Sequence, residues 1–114
     1  MPNIDRLEST ILRALTKILR EDVKDPSVGF ITLTDVRLTK DLSYLTIYYT
    51  VLNKDKKDLT EQALKRSNPF IRSQLARAVN LRKMPKLIFK YDESLERGNR
   101  IESGLKKVLN NDDK

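Results

Sequence analysis

Apolar residues over positions 3–22 recur at the spacing of a helical stripe: Ile4, Leu7, Ile11, Leu12, Leu15, Ile18 and Leu19 follow i, i+3, i+4 steps. At about 100° per residue, Arg6, Arg13, Lys17 and Arg20 fall in a narrow arc on the opposite face. Asp5 and Glu8 lie off that arc. Asp25-Pro26-Ser27-Val28-Gly29 then carries turn chemistry, since proline presets φ and glycine tolerates positive φ. From residue 30 to 38 the period becomes two. Ile31 and Leu33 share one phase, Val36 and Leu38 the other, so a β-bulge is predicted near Thr34-Asp35. Thr39-Lys40-Asp41 connects this run to residues 42–52, the strongest strand pattern. There Leu45, Ile47, Tyr49 and Val51 occupy one face, and Tyr44, Thr46, Tyr48 and Thr50 the other. The two runs are close enough to pair as an antiparallel hairpin.

Residues 53–57 read as a polar linker, and Asp58 with Glu61 has capping-box spacing for a second helix. An interior proline costs a helix about 3 kcal/mol. Ser67-Asn68-Pro69 therefore predicts a kink and break, with Asn68 as cap and Pro69 opening a third helix to about residue 80. That helix would bury Ile71, Leu75, Ala78 and Val79. After Met84-Pro85, residues 86–91 read as a third strand. Ser94 is expected to cap a last helix over residues 95–109, with Ile101, Leu105 and Val108 inward; residues 110–114 are expected to fray. The order α-β-β-α-α-β, with a right-handed crossover between the last two strands, predicts an α+β fold. It has a three-stranded mixed sheet ordered 1-2-3, helices on one face, and an additional C-terminal helix. That is the arrangement of a type II KH domain, here a single domain over residues 1–109.

Charge changes this picture. The chain has 114 residues and a formal net charge of +7. Residues 62–90 hold eight basic side chains (Lys65, Arg66, Arg72, Arg77, Arg82, Lys83, Lys86 and Lys90) and no acid, so the other 85 residues sum to −1. Such a segment is an electrostatic footprint for a polyanion, most simply nucleic acid. A solvated surface that keeps a small domain soluble is the plain alternative. The arc of Arg13, Lys17 and Arg20 is a second basic feature, equally readable as the polar side of an amphipathic helix. Arginine forks pair with phosphate oxygens, and lysines act as mobile point charges. Lys65, Arg66, Arg72, Arg77, Arg82, Lys83 and Lys86 are thus the leading RNA contacts. If five to seven of them neutralise phosphates, log K falls with log salt at a slope of roughly −4 to −6. Tyr44 and Tyr48 could stack bases, against the plainer reading of cross-strand packing.

Other chemistry has little support. The chain contains no cysteine and no histidine, which removes the thiolate nucleophile, the usual general base and the commonest transition-metal ligand. Asp22/Asp25 and Asp112/Asp113 lack calcium-loop spacing. No P-loop, nucleophile elbow or dinucleotide fingerprint is present. No metal, cofactor or small-molecule substrate is implied. No apolar run approaches a membrane span and the N-terminus lacks a signal-peptide pattern, so a cytoplasmic protein is expected.

One resemblance sharpens the reading. Arg72-x-x-Leu75-Ala76 leads to Leu81-Arg82-x-x-Pro85-x-Leu87-x-Phe89, then Asp92-x-Ser94 and Gly98-x-x-Ile101. Upstream stand Thr32-x-Thr34-Asp35-Val36, Asp41-Leu42 and Ile47-Tyr48. Together these resemble the bacterial ribosome-binding factor A family, over nearly all of the chain. The resemblance implies a non-enzymatic, KH-like, monomeric protein. It would bind free small (30S) ribosomal subunits near the 5′-terminal helix of 16S rRNA and assist late rRNA processing, especially in the cold. Single-strand-gripping KH domains use a Gly-x-x-Gly loop between paired helices; this chain's only glycines are Gly29, Gly98 and Gly104. The family has a small-residue kink, typically Ala-x-Gly, where this chain has Ser67-Asn68-Pro69. A general nucleic-acid module and a domain docking an acidic protein partner are the rival readings of the same charge.

Overall fold

The structure, a computed structural model, describes residues 3–28 and 31–94. Helix α1 (Ile4–Lys17) opens on Asn3, whose side-chain oxygen accepts the Arg6 N–H at 3.1 Å and so satisfies one orphan donor of the first turn. Ile11 and Leu15 are fully buried. The helix ends in one wide π-type turn, Ile18–Asp22, closed by the Val23 N–H on the Ile18 carbonyl at 3.1 Å. Both Ile18 and Leu19 enter the core there. The helical stripe expected over residues 3–22 is thus an α-helix plus this turn.

Strands β1 (Ile31–Leu38) and β2 (Tyr44–Val51) pair antiparallel, and β2 pairs parallel with β3 (Lys86–Tyr91). The sheet order is β1-β2-β3, with β2 central. The register slips between Leu33 and Asp35, so the bulge stands where the phase switch predicts it. It lets Val36 and Leu38 reach the buried side after Ile31 and Leu33 have begun the strand on that side. In the hairpin turn, the Thr39 hydroxyl oxygen accepts the N–H groups of Ser43 and Tyr44 and donates to Asp41. The Asp41 carboxylate also takes the Ser43 N–H at 3.0 Å. These bonds, the Ser43 N–H first, hold its pKa below the ordinary aspartate value, so the contribution fades only as pH falls through that lowered value. Leu42 adopts φ of 62°, a left-handed conformation costly for a residue with a Cβ, while its side chain is buried.

Helix α2 (Lys57–Ala78) corrects the sequence reading. It is one continuous helix of 22 residues with Pro69 inside it, not two helices separated at Ser67-Asn68-Pro69. Pro69 has no N–H for the Lys65 carbonyl, and the expected penalty is real. Long-range contacts on either side offset it. Asn68 donates to the Leu87 carbonyl at 3.1 Å, and Ile71 and Leu75 are fully buried one and two turns onward. Asn68 is therefore a strap from helix to β3 rather than a cap. The start also differs. Asn53, not Asp58, is the capping side chain, accepting the Asp55 N–H at 2.9 Å before a short 3-10 turn that runs into α2. Substituting Pro69→Ala is expected to stabilise the fold by about 1–3 kcal/mol in urea denaturation. A destabilised variant would mean that the helix needs the proline's local geometry.

One core joins these elements. Ile11 and Leu15 of α1, Val36 and Leu38 of β1, Leu45, Ile47 and Tyr49 of β2, Ala63, Leu64, Ile71 and Leu75 of α2, and Leu87 of β3 are all buried. Both helices cover the same sheet face, α1 over β1 and α2 over β3. The Glu8 carboxylate accepts the Leu38 N–H at 2.7 Å, which ties α1 to edge strand β1. No helix among the described residues is long and apolar enough to cross a membrane. The helix expected over residues 95–109 and the tail lie outside the described residues.

Candidate nucleic-acid interface

The eight basic residues between positions 62 and 90 divide in two once their partners are known. Lys65 sits one turn from Glu61, at 3.6 Å. Arg66 reaches across to the Asp25 carboxylate at 2.7 Å, pinning α2 to the connection that follows α1. The Lys65 pair is exposed on both sides and worth about 0–1 kcal/mol; in the other the Arg66 side chain is exposed while Asp25 is half-buried, and a phosphate can compete for either cation. Arg72 is different. Its Nε donates to the Pro85 carbonyl at 2.8 Å and its Nη2 to the Met84 carbonyl at 2.9 Å, part-buried between α2 and the turn into β3. That guanidinium braces the turn, and two of its donors are spent.

The remaining five, Arg77, Arg82, Lys83, Lys86 and Lys90, are exposed and form no ion pair among the described residues. They run from the last turn of α2 through the turn into β3 and along that edge strand. Two contacts bring the start of β3 beside the hairpin turn: the Lys86 N–H donates to the Ser43 carbonyl at 2.9 Å, and Lys83 donates to the Ser43 hydroxyl at 3.2 Å. The β2–β3 pairing sets Lys86 beside Tyr44 and Lys90 beside Tyr48. The outcome is a cationic rim at one edge of the sheet, with Asp41 near Lys83 at one end and Asp92 and Glu93 beyond Lys90 at the other. Lys90, part of the basic segment but not among the leading contacts expected from the sequence, belongs to it through its strand position and its pairing with Tyr48.

The arc on α1 is separate. Arg13, Lys17 and Arg20 are exposed, with Arg20 3.6 Å from Glu21. α1 covers β1, at the opposite edge of the sheet from β3. The fold therefore does not merge the two basic features into one patch. Ser67 and Asn68 are half-buried, and Pro69 is exposed on the outer face of α2.

The bulge has a partner that spacing alone does not reveal. Thr34 donates its hydroxyl to the Asp92 carboxylate at 2.6 Å, and Asp92 in turn accepts the Ser94 N–H at 2.9 Å. Two motifs 58 residues apart thus meet where β3 ends. Nearby, Tyr91 packs edge-on against Tyr49 with centroids 5.7 Å apart, and Lys57 lies 4.0 Å over the Tyr91 ring. Burial, with Glu61 nearby, raises the Tyr49 pKa, so that hydroxyl stays neutral. A cleft of about 640 Å³ opens here, where Lys57 and Lys90 face the carboxylates of Glu61, Asp92 and Glu93 beside Tyr48 and Tyr91.

Fold and rim together define a small α+β domain with a three-stranded mixed sheet, two helices on one face and a cationic edge. A family model described as ribosome-binding factor A matches residues 3–105, and the chain belongs to that family. Its relatives of that name include a Neisseria meningitidis protein, 48% identical over 94 residues, or 82% of this chain and 76% of the relative. Another, from Staphylococcus epidermidis, is 44% identical over 109 residues, or 95% and 94%. The crystal structure of ribosome-binding factor A from Thermus thermophilus superposes with a TM-score of 0.72 at 30% identity, covering 79% of this chain and 97% of that one. A homology model of Thermus thermophilus ribosome-binding factor A, fitted into the cryo-EM map of its 30S complex, gives 0.64 at 32% identity, covering 77% and 93%.

Proposed function

We propose that this chain binds free small ribosomal subunits and assists their late maturation, acting by association rather than bond chemistry. One observation carries the reading: in a chain of the ribosome-binding factor A family, five cations that form no ion pair among the described residues gather along the rim from α2 to β3. The relative fitted into a 30S map supports the choice of particle. On this reading the chain is a monomeric, cytoplasmic, single KH-like domain over residues 1–109. It docks near the 5′-terminal helix of 16S rRNA, aids rRNA processing and matters most in the cold.

Arg77, Arg82, Lys83, Lys86 and Lys90 are the phosphate contacts, with Arg66 joining if RNA displaces Asp25, and Arg72 holds the rim in shape. Arg13, Lys17 and Arg20 form a second, independent contact on the α1 side. A binder shifts an RNA equilibrium only through its differential affinity for the two states, so immature particles bind more tightly than joined ribosomes.

Co-sedimentation with small subunits, large subunits and joined ribosomes at low and moderate salt tests this. Selective association with free small subunits that survives moderate salt is expected. Equal binding to all three particles that vanishes with salt would leave a nonspecific basic module instead.

A further inference from the structure

The sheet face turned away from both helices has its own pattern. On β2, Tyr44, Thr46 and Tyr48 point to that face; on β3, their parallel partners are Lys86, Ile88 and Lys90, in that order. The face thus repeats one unit twice, a tyrosine with a lysine at the same level on the next strand, separated by Thr46 beside Ile88. Tyr44 is 47% exposed and Ile88 42%. Neither Tyr44 nor Tyr48 enters an aromatic pair or a cation–π contact among the described residues. The packing role that would explain them locally is taken by Tyr49 and Tyr91 on the other face. Of the charges on the β1 side, Arg37 and Asp35 neutralise each other at 3.0 Å, which leaves the lysines to set the sign.

The geometry points to a segment of single-stranded RNA as the occupant of this face, its bases stacked on Tyr44 and Tyr48 and its phosphates held by Lys86 and Lys90. The inference rests on the RNA-binding reading above and adds which form of RNA is taken, and where. Two tyrosines four residues apart on a strand are about 13 Å apart. Adjacent bases of a duplex strand are about 3.4 Å apart. Bases that meet both rings must come from a strand pulled open, and a paired duplex offers no such faces. Each lysine lies about 4.8 Å from its tyrosine's strand, close enough to reach the backbone of the nucleotide stacked there. Stacking needs only a π-face and tolerates any base, which suits a factor that handles a defined stretch of RNA by its form.

The experiment uses the full chain, a fluorescein-labelled ten-nucleotide oligouridylate and a ten-base-pair RNA duplex. The double variant Y44A/Y48A is expected to bind the single strand about 100-fold more weakly, roughly tenfold per ring. Y44F/Y48F keeps the rings and is expected to bind like wild type. Duplex affinity is expected to hold in both, and K86Q/K90Q to lower the salt slope for the single strand by about 1–2. Tyr44→Ala alone, at a half-exposed position, supplies the test should the double variant fold poorly. Single-strand affinity unchanged in the alanine variants, a phenylalanine variant as weak as the alanine one, or equal losses for duplex and single strand would each overturn the site. So would concentration-dependent self-association, in sedimentation velocity, that Tyr44→Ala abolishes, since a second copy would then cover the face. Small-subunit co-sedimentation of the same proteins separates the two readings. Wild-type selectivity with no alanine effect on the oligouridylate sinks only the sheet-face site; an alanine effect without small-subunit selectivity sinks only the assembly reading.

Discussion

Replacing Arg77, Arg82, Lys83 and Lys86 together by glutamine lowers affinity for small subunits by roughly 10³- to 10⁴-fold at 0.1 M salt, while the fold stays intact. The size follows from counterion release: each neutralised phosphate contributes about 0.9 to the slope of log K against log salt, hence about 0.9 log units at 0.1 M. The five rim contacts contribute about −4 to −5 to the wild-type slope, and the variant keeps only about −1 of that contribution, beside whatever the α1 arc adds to both. The fold survives because all four side chains are exposed and none makes an ion pair among the described residues. Binding titrations at four or more salt concentrations measure the slope, and circular dichroism checks the fold. A quadruple variant whose slope falls by less than about 1 from the wild-type value would place the RNA elsewhere, with the α1 arc of Arg13, Lys17 and Arg20 next in line.

Arg72→Ala behaves in the opposite way. It destabilises the protein by about 2–3 kcal/mol, because two charge-assisted hydrogen bonds to part-buried carbonyls are lost together. For a domain of this size that lowers Tm by about 10 °C. Arg72→Lys recovers less than half of the loss, since an ammonium cannot fork between the Met84 and Pro85 carbonyls. The salt slope of RNA binding stays at the wild-type value at temperatures where the variant is folded. Thermal unfolding and the same salt titration distinguish the roles. Unchanged stability with a slope smaller by about 1 would make Arg72 a phosphate ligand after all.

Sequence patterning made the sheet legible in detail. The strand over residues 86–91, the bulge at Thr34-Asp35, the 1-2-3 order and the parallel crossover all follow from local alternation, turn chemistry and one handedness rule. The stripe on α1 and the exposed basic arc behind it are equally local, since a helix fixes which residues share a face. Patterning failed at Pro69. Propensity weighs a residue against its own helix, whereas the decision depended on Asn68 bonding to Leu87 and on Ile71 and Leu75 sinking into the core.

The same division runs through the interface. By itself the sequence determined that cations crowd residues 62–90 without an acid, because charge is a property of composition. Only the tertiary structure decided which of those cations are available. Arg66 meets an aspartate 41 positions away, and Arg72 spends its fork on two carbonyls, while Lys86 and Lys90 come to lie beside tyrosines of another strand. A guanidinium has the same formal charge in every case. What differs is the set of acceptors the folded chain carries to it, and those come from segments whose proximity no local pattern encodes.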